Sequence, residues 1–233
     1  LTKKLSLCKE KEETFFLCKR IGEIYENFSN IEKAVEFYSQ AFNLNHDSQI
    51  SKKLKNIYLI QRDYEKVLNF IDYESGISKL GEKANLLIEK GILYRDHLKN
   101  AEKAIESFEL ALTYYPESFE AIKNLEIIAR KEKKFEYLVN ILEKKKRLLP
   151  QNDLPQIDLE IAQIKVIHNF EPQKWLEHLD ELLNIYSRNA DFLQQLENFY
   201  YTLPDYKNFI IQFYQKAIKV AKDDKKKAKL YFR

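Results

Sequence analysis

The side chains best suited to nucleophilic, acid–base or metal chemistry are four histidines, His46, His97, His168 and His178, and two cysteines, Cys8 and Cys18. A zinc site or a catalytic dyad needs such groups at short, face-sharing spacings, and these are scattered. His168 and His178 are ten positions apart, with a helix boundary predicted between them. No Cys lies near a His at ligand spacing, so all four histidines read as surface or turn residues. The sequence also lacks a phosphate-loop pattern, a dinucleotide glycine fingerprint, a serine nucleophile elbow and a His-Glu-x-x-His zinc motif. With only 4 glycines in 233 residues, a phosphate-cradling loop has little material to form from. The expectation is a chain that is not an enzyme and holds no cofactor or metal.

Charge is the next candidate. Lys and Arg total 39 against 36 Asp and Glu, a formal net charge of +3, too balanced for the footprint of a dedicated nucleic-acid binder. Basic runs at Arg130–Lys134, Lys144–Arg147 and Lys225–Lys227 read mainly as solvated faces. The first two also sit at predicted helix C-termini, where cations are favoured by the helix dipole. No run of 18 apolar residues or signal-peptide pattern occurs, so no membrane insertion is expected. Cys8 and Cys18 would be about 15 Å apart on one helix, too far for a disulfide, and free thiols fit a reducing compartment. The chain contains no Met, even at its start, and reads as a fragment of a longer protein.

The elements that must position these residues are helices in a repeat. Gly and Pro are scarce at 4 and 5, leaving little punctuation for strands. Tyr64, Phe135 and Tyr206 are spaced by 71 residues, as are Tyr58, Ala129 and Tyr200, and Val67, Leu138 and Phe209. The unit is therefore about 70 residues, built from two halves. Each half carries two amphipathic helices: Ile21, Ile24, Tyr25 and Phe28 mark a first helix, and Ile31, Ala34, Val35, Tyr38, Ala41 and Phe42 a second. Ser29 with Glu32 predicts a capping box, Asp63, Asn100 and Asp205 stand where N-caps are wanted, and Pro172 suits a first helical position. Trp175 falls where the aligned units have Ala34 and Ala104, and must splay its hairpin or rotate out of the close contact.

With the pattern Cys18, Ile21, Gly22, Tyr25, Ala34, Tyr38, Ala41, and its counterpart Leu87, Gly91, Tyr94, Ala104, Phe108, Ala111, Pro116, the chain resembles the tetratricopeptide repeat family. The resemblance implies an all-α α-solenoid, a right-handed superhelix of about six hairpins in three two-repeat units. Repeats are expected near 15–47, 48–83, 84–118, 119–152, 153–189 and 190–220. Residues 1–14 would close a preceding repeat, and 221–233 would open a further helix.

In this family first helices line a groove that receives a peptide or protein. By register the groove here should offer Lys52, Asn56, Ile88, Ile92, Arg95, Lys123, Ile127 and Arg130, a mixture suited to an acidic amphipathic segment. Lys52 and Asn56 reproduce the first pair of the family's carboxylate clamp, but Glu89, Glu120 and Asn124 break its continuation, which disfavours a chaperone-tail receptor. The leading expectation is a non-enzymatic protein-interaction scaffold. The alternatives are an RNA-binding helical array, against which Glu23, Glu89 and Glu120 argue, and the docking arm of a larger enzyme or membrane-anchored protein.

Overall fold

The computed structural model describes residues 10–168, 172–204 and 206–220. Over these the molecule is all-helical, with twelve α-helices, one 3-10 turn and no strand. In chain order they are α1 (Lys11–Asn27), α2 (Ile31–Asn45), α3 (Ser48–Ile60), α4 (Tyr64–Ile77), α5 (Leu80–Asp96), α6 (Ala101–Tyr114), α7 (Phe119–Lys131), α8 (Phe135–Lys146), α9 (Leu154–Ile167), α10 (Pro172–Ile185), α11 (Ala190–Tyr200) and α12 (Tyr206–Val220). Two compact units divide at Ala121/Ile122. In the first, α1 pairs with α2, α3 with α4 and α5 with α6, and neighbouring hairpins touch through α2–α3 and α4–α5. In the second, α9 packs on α10 and α11 on α12, with α8–α9, α9–α11 and α10–α12 joining hairpins. Cys8, Asp205 and the stretches 1–9 and 221–233, with Lys225–Lys227, lie outside the described residues.

The turn inside each hairpin is made the same way several times. Ser29, Arg62 and Lys133 adopt φ of 58°, 60° and 54°, and the next residue's N–H reaches back five positions: Asn30 to Tyr25, Asp63 to Tyr58, Lys134 to Ala129. This left-handed residue closes the first helix, and the residue after it starts the second. At the third hairpin the loop is one residue longer, so Asn100 N–H reaches back six positions to Tyr94 while Lys99 takes φ 53°. The Asp63 and Asn100 side chains then cap the Lys66 and Lys103 N–H groups at 3.3 and 3.0 Å, as the sequence predicts. The Ser29 expectation is corrected. Asn30 is the cap, accepting from Lys33 N–H at 3.3 Å, because Ser29 is consumed by the left-handed turn. Pro172 opens α10.

Two glycines, Gly22 and Gly91, mark close approaches between paired helices. A Cβ on Gly22 would stand 2.7 Å from the Tyr38 ring, and one on Gly91 2.6 Å from Phe108; both rings are fully buried. In the first unit Phe15, Cys18, Ala34, Ala41, Ile50, Leu54, Val67 and Ile71 share one core with Tyr38. In the second, Leu138, Leu142, Ile157 and Ile161 form one cluster, and Leu159, Ala162, Leu179, Leu183, Leu196 and Phe213 another. Trp175 packs half-buried against the cluster that holds the fully buried Ala162 and Leu179, and its indole takes Lys165 Nζ at 3.7 Å from the ring centre. Cys18 is a buried thiol, and burial pushes its pKa up.

Candidate functional site

Charged residues placed on an apolar stripe must find partners, because an unpaired buried charge is costly. On α3 the inward positions are Ser51, Leu54, Lys55 and Tyr58; on α4 they are Val67, Ile71 and Glu74. Lys55 and Glu74 each interrupt a row of core residues, and the fold brings them together. Lys55 Nζ lies 2.8 Å from Glu74 Oε2 and 3.0 Å from Glu89 Oε2 on α5, while Ser51 Oγ donates to Glu74 Oε1 at 2.9 Å. Burial works against the Lys55 charge, but hydrogen bonds to Glu74 and Glu89 outweigh it and hold its pKa above the ordinary value. The network fixes three helices to one another.

Above this network opens a cleft of about 590 Å³. Ser48, Lys52 and Asn56 of α3 form one side; Ile77 at the end of α4, Ser78 and Lys79 of the α4–α5 connection, and Glu82 and Leu86 of α5 form the other. Lys52 and Lys79 are exposed, and among the described residues neither ammonium has a carboxylate partner. Ile77 is 60% exposed, so the cleft offers apolar surface beside two available cations.

Of the sequence-predicted groove residues, Lys52 and Asn56 meet in this cleft. Ile88 is buried at 4%, since Ala84, Leu87, Ile88 and Gly91 form the inward stripe of α5, so it cannot serve as groove lining. Ile92 is half-buried on α5, and Arg95 makes a two-pronged contact with Asp96 at 2.7 and 2.8 Å. Lys123, Ile127 and Arg130 stand on α7, in the second unit. Lys123 and Ile127 are exposed, but Arg130 is engaged by Glu126, at 2.7 Å, and by Glu160. Sequence reasoning missed Lys55, Glu74, Lys79 and Glu82; for the first two the signal was a charge on the apolar stripe.

The same device recurs elsewhere. Glu26 of α1 binds Lys53 of α3 at 2.6 Å and accepts from the buried Tyr38 hydroxyl at 2.6 Å. Hydrogen bonds from Lys53 and Tyr38 hold the Glu26 carboxyl below its ordinary value, and burial beside that carboxylate raises Tyr38. Glu126 accepts from Lys145 at 2.7 Å. Lys146 pairs with Asp158, to which Tyr186 also donates at 2.7 Å. The basic ends of α7 and α8 are thus partly spent on internal pairs. No cluster of three or more His, Cys, Asp or Glu able to hold a metal occurs among the described residues, and none of the described helices is long and apolar enough to cross a membrane.

Two hairpins carry this geometry in its most regular form, α1–α2 with Gly22 against Tyr38 and α5–α6 with Gly91 against Phe108. The sequence profile of the tetratricopeptide repeat matches these two stretches, residues 18–47 and 84–118. Those two stretches are matched as tetratricopeptide repeats. A stretch of 116 residues, 50% of the chain, is 24% identical to tetratricopeptide repeat protein 21B of Xenopus laevis, and spans only 9% of that relative's length. Among solved structures the chain is similar to MamA (13% identity, TM-score 0.43, 77% of this chain and 96% of the other). It is also similar to YrrB, described as a tetratricopeptide protein with an unusual peptide-binding site (13%, 0.42, 75% and 87%), and to PilF of Pseudomonas aeruginosa (18%, 0.38, 87% and 99%).

Proposed function

We propose that this tetratricopeptide chain is a non-catalytic scaffold that holds another protein, and that the α3–α5 cleft of its first unit takes an acidic, amphipathic segment of that partner. The observation that carries the reading is the pairing of two uncompensated ammonium groups, Lys52 and Lys79, with the exposed apolar surface of Ile77 over a wall fixed by the Lys55–Glu74–Glu89 network. A partner carboxylate seated between the lysines, with an apolar side chain on Ile77 and Leu86, satisfies both. Lys55, Arg95 and Arg130 all have carboxylate partners, which breaks the continuous basic stripe that an RNA reader needs.

Selection from a displayed library of random peptides tests this. Enrichment of sequences that place Asp or Glu next to large apolar residues, with binding lost in the Lys52→Ser/Lys79→Ser variant, is expected. Enrichment of basic sequences, or binding indifferent to the double substitution, would count against the cleft. Tight binding of a mixed single-stranded RNA at physiological salt would count against the scaffold reading itself.

A further inference from the structure

The second unit holds a slot of about 200 Å³ lined by three of its helices. Leu176, Glu177 and Asp180 of α10 form one wall, Phe209, Gln212 and Phe213 of α12 the other, and Tyr200 of α11 the floor. The Tyr200 ring packs on Phe209 and Phe213, with centres 6.0 and 5.8 Å apart, so α11 and α12 present one aromatic surface. The facing wall on α10 is aliphatic and acidic. Lys216 of α12 binds the Asp180 carboxylate and ties the two walls together.

Buried polar groups are normally hydrogen-bonded, and Tyr200 departs from that rule. The residue is 4% exposed, yet among the described residues its hydroxyl makes no hydrogen bond. No side-chain polar atom closed off from solvent lacks a partner among those residues, so the hydroxyl opens onto the slot that Tyr200 lines. Burial and the neighbouring Asp180 carboxylate hold its pKa above the ordinary value, which keeps it a neutral phenol able to accept as well as donate. Glu177 and Gln212 are exposed, and among the described residues their side chains make no hydrogen bond or ion pair either. Asp180 spends Oδ2 on Lys216 and keeps Oδ1 as an acceptor. Glu177 and Asp180 against Lys216 leave one negative charge in excess, which draws a cation. Three acceptor groups, on Tyr200, Glu177 and Asp180, match the three N–H donors of an alkylammonium. The apolar surfaces of Leu176, Phe209 and Phe213 suit its methylene stem. The volume falls under the roughly 300–1,000 Å³ usual for small-molecule sites, which fits one extended side chain.

We propose that this slot receives a lysine side chain of a partner protein. The ammonium group donates to Tyr200, Glu177 and Asp180, the stem lies along the apolar wall, and the Gln212 amide holds an adjoining peptide bond. The occupant is basic, opposite in charge to the acidic segment expected between Lys52 and Lys79, and its binding does not depend on that cleft.

The test is a titration of the isotopically labelled chain, followed by nuclear magnetic resonance, with a blocked pentapeptide carrying a central lysine between glycines. Saturable shifts of the Tyr200 ring and the Gln212 side-chain amide are expected. Binding should weaken about tenfold in Glu177→Gln and about fivefold in Tyr200→Phe, read at Gln212. The same peptide with norleucine in place of lysine should leave these signals unmoved, and n-butylammonium, which lacks the peptide bonds, should bind more weakly. Tyr200→Phe keeps the ring and removes a hydroxyl with no partner in the protein, so its thermal midpoint should match the wild type and its loss of binding cannot be unfolding. Absence of saturable shifts, an equal response to the norleucine peptide, or unchanged affinity in either variant would overturn the proposal. Butylammonium binding as tightly as the peptide would overturn the assignment to a partner protein. A Tyr200→Phe midpoint well below the wild type would show the hydroxyl already bound within the fold, and would overturn it equally.

Discussion

Replacing Gly91 with alanine separates close packing from helix propensity. The new Cβ would lie 2.6, 2.7 and 2.8 Å from Phe108 Cε1, Cζ and Cδ1, whereas ordinary contact begins near 3.4 Å. The ring must move by most of an ångström, yet it is fully buried beside Ala104 and Ala111, themselves at 0% exposure. Overpacking of this kind costs about 1–3 kcal/mol, against a propensity gain of up to about 1 kcal/mol for removing a helical glycine. Gly91→Ala should therefore destabilise by up to about 2 kcal/mol net. At Gly81, also on α5, an added Cβ meets nothing within 4 Å, so Gly81→Ala retains only the gain. Chemical denaturation followed by helical circular dichroism should place the two variants on opposite sides of the wild type, about 1–3 kcal/mol apart. Phe108→Leu should recover part of the loss when combined with Gly91→Ala, as a positive coupling in a double-mutant cycle. Equal effects of the two alanines, or no coupling with Phe108, would refute the packing argument.

Other substitutions probe different parts of the account. Ser29→Gly, Arg62→Gly and Lys133→Gly, at left-handed turns, should each raise stability by about 0.5–1 kcal/mol, read from denaturation midpoints. Lys55→Met leaves the buried Glu74 uncompensated and should cost about 3–5 kcal/mol, while Lys55→Met/Glu74→Met should recover much of it. Burial opposes the charge on Glu126, but hydrogen bonds from Lys145 and Arg130 outweigh it and depress its pKa below 4.5, as Lys53 does for Glu26. A depressed carboxyl stabilises the fold above its unfolded pKa, so stability should fall as the pH is lowered through and below about 4.5. Glu126→Gln should flatten that part of the profile, measured as midpoint against pH.

The helices and their pairing were legible because a 71-residue period repeats both apolar stripes and turn residues, as in Tyr64 and Phe135 or Val67 and Leu138. Caps were legible where one polar residue stands alone, at Asp63 and Asn100. Two neighbouring candidates, Ser29 and Asn30, could not be ordered without knowing which residue takes the left-handed conformation. The site was harder to read. Lys52 and Asn56 fall one turn apart on an exposed face, which periodicity conveys, but Ile88 belongs to the same apolar face as Leu87, and burial chose between those roles. Lys55 is not singled out by residue type from the other lysines of α3. Its partners lie 19 and 34 positions away, and only the packing of α4 and α5 against α3 brings them within 3.0 Å.

The most direct measurement of the central claim is a hydrogen-exchange footprint of the chain with an acidic amphipathic peptide recovered from the displayed library. Slowed exchange confined to α3 and the start of α5, around Lys52, Asn56, Lys79 and Glu82, and absent in the Lys52→Ser/Lys79→Ser variant, is the predicted result. Protection elsewhere with the α3–α5 region unchanged, or a footprint that survives loss of both lysines, would contradict it.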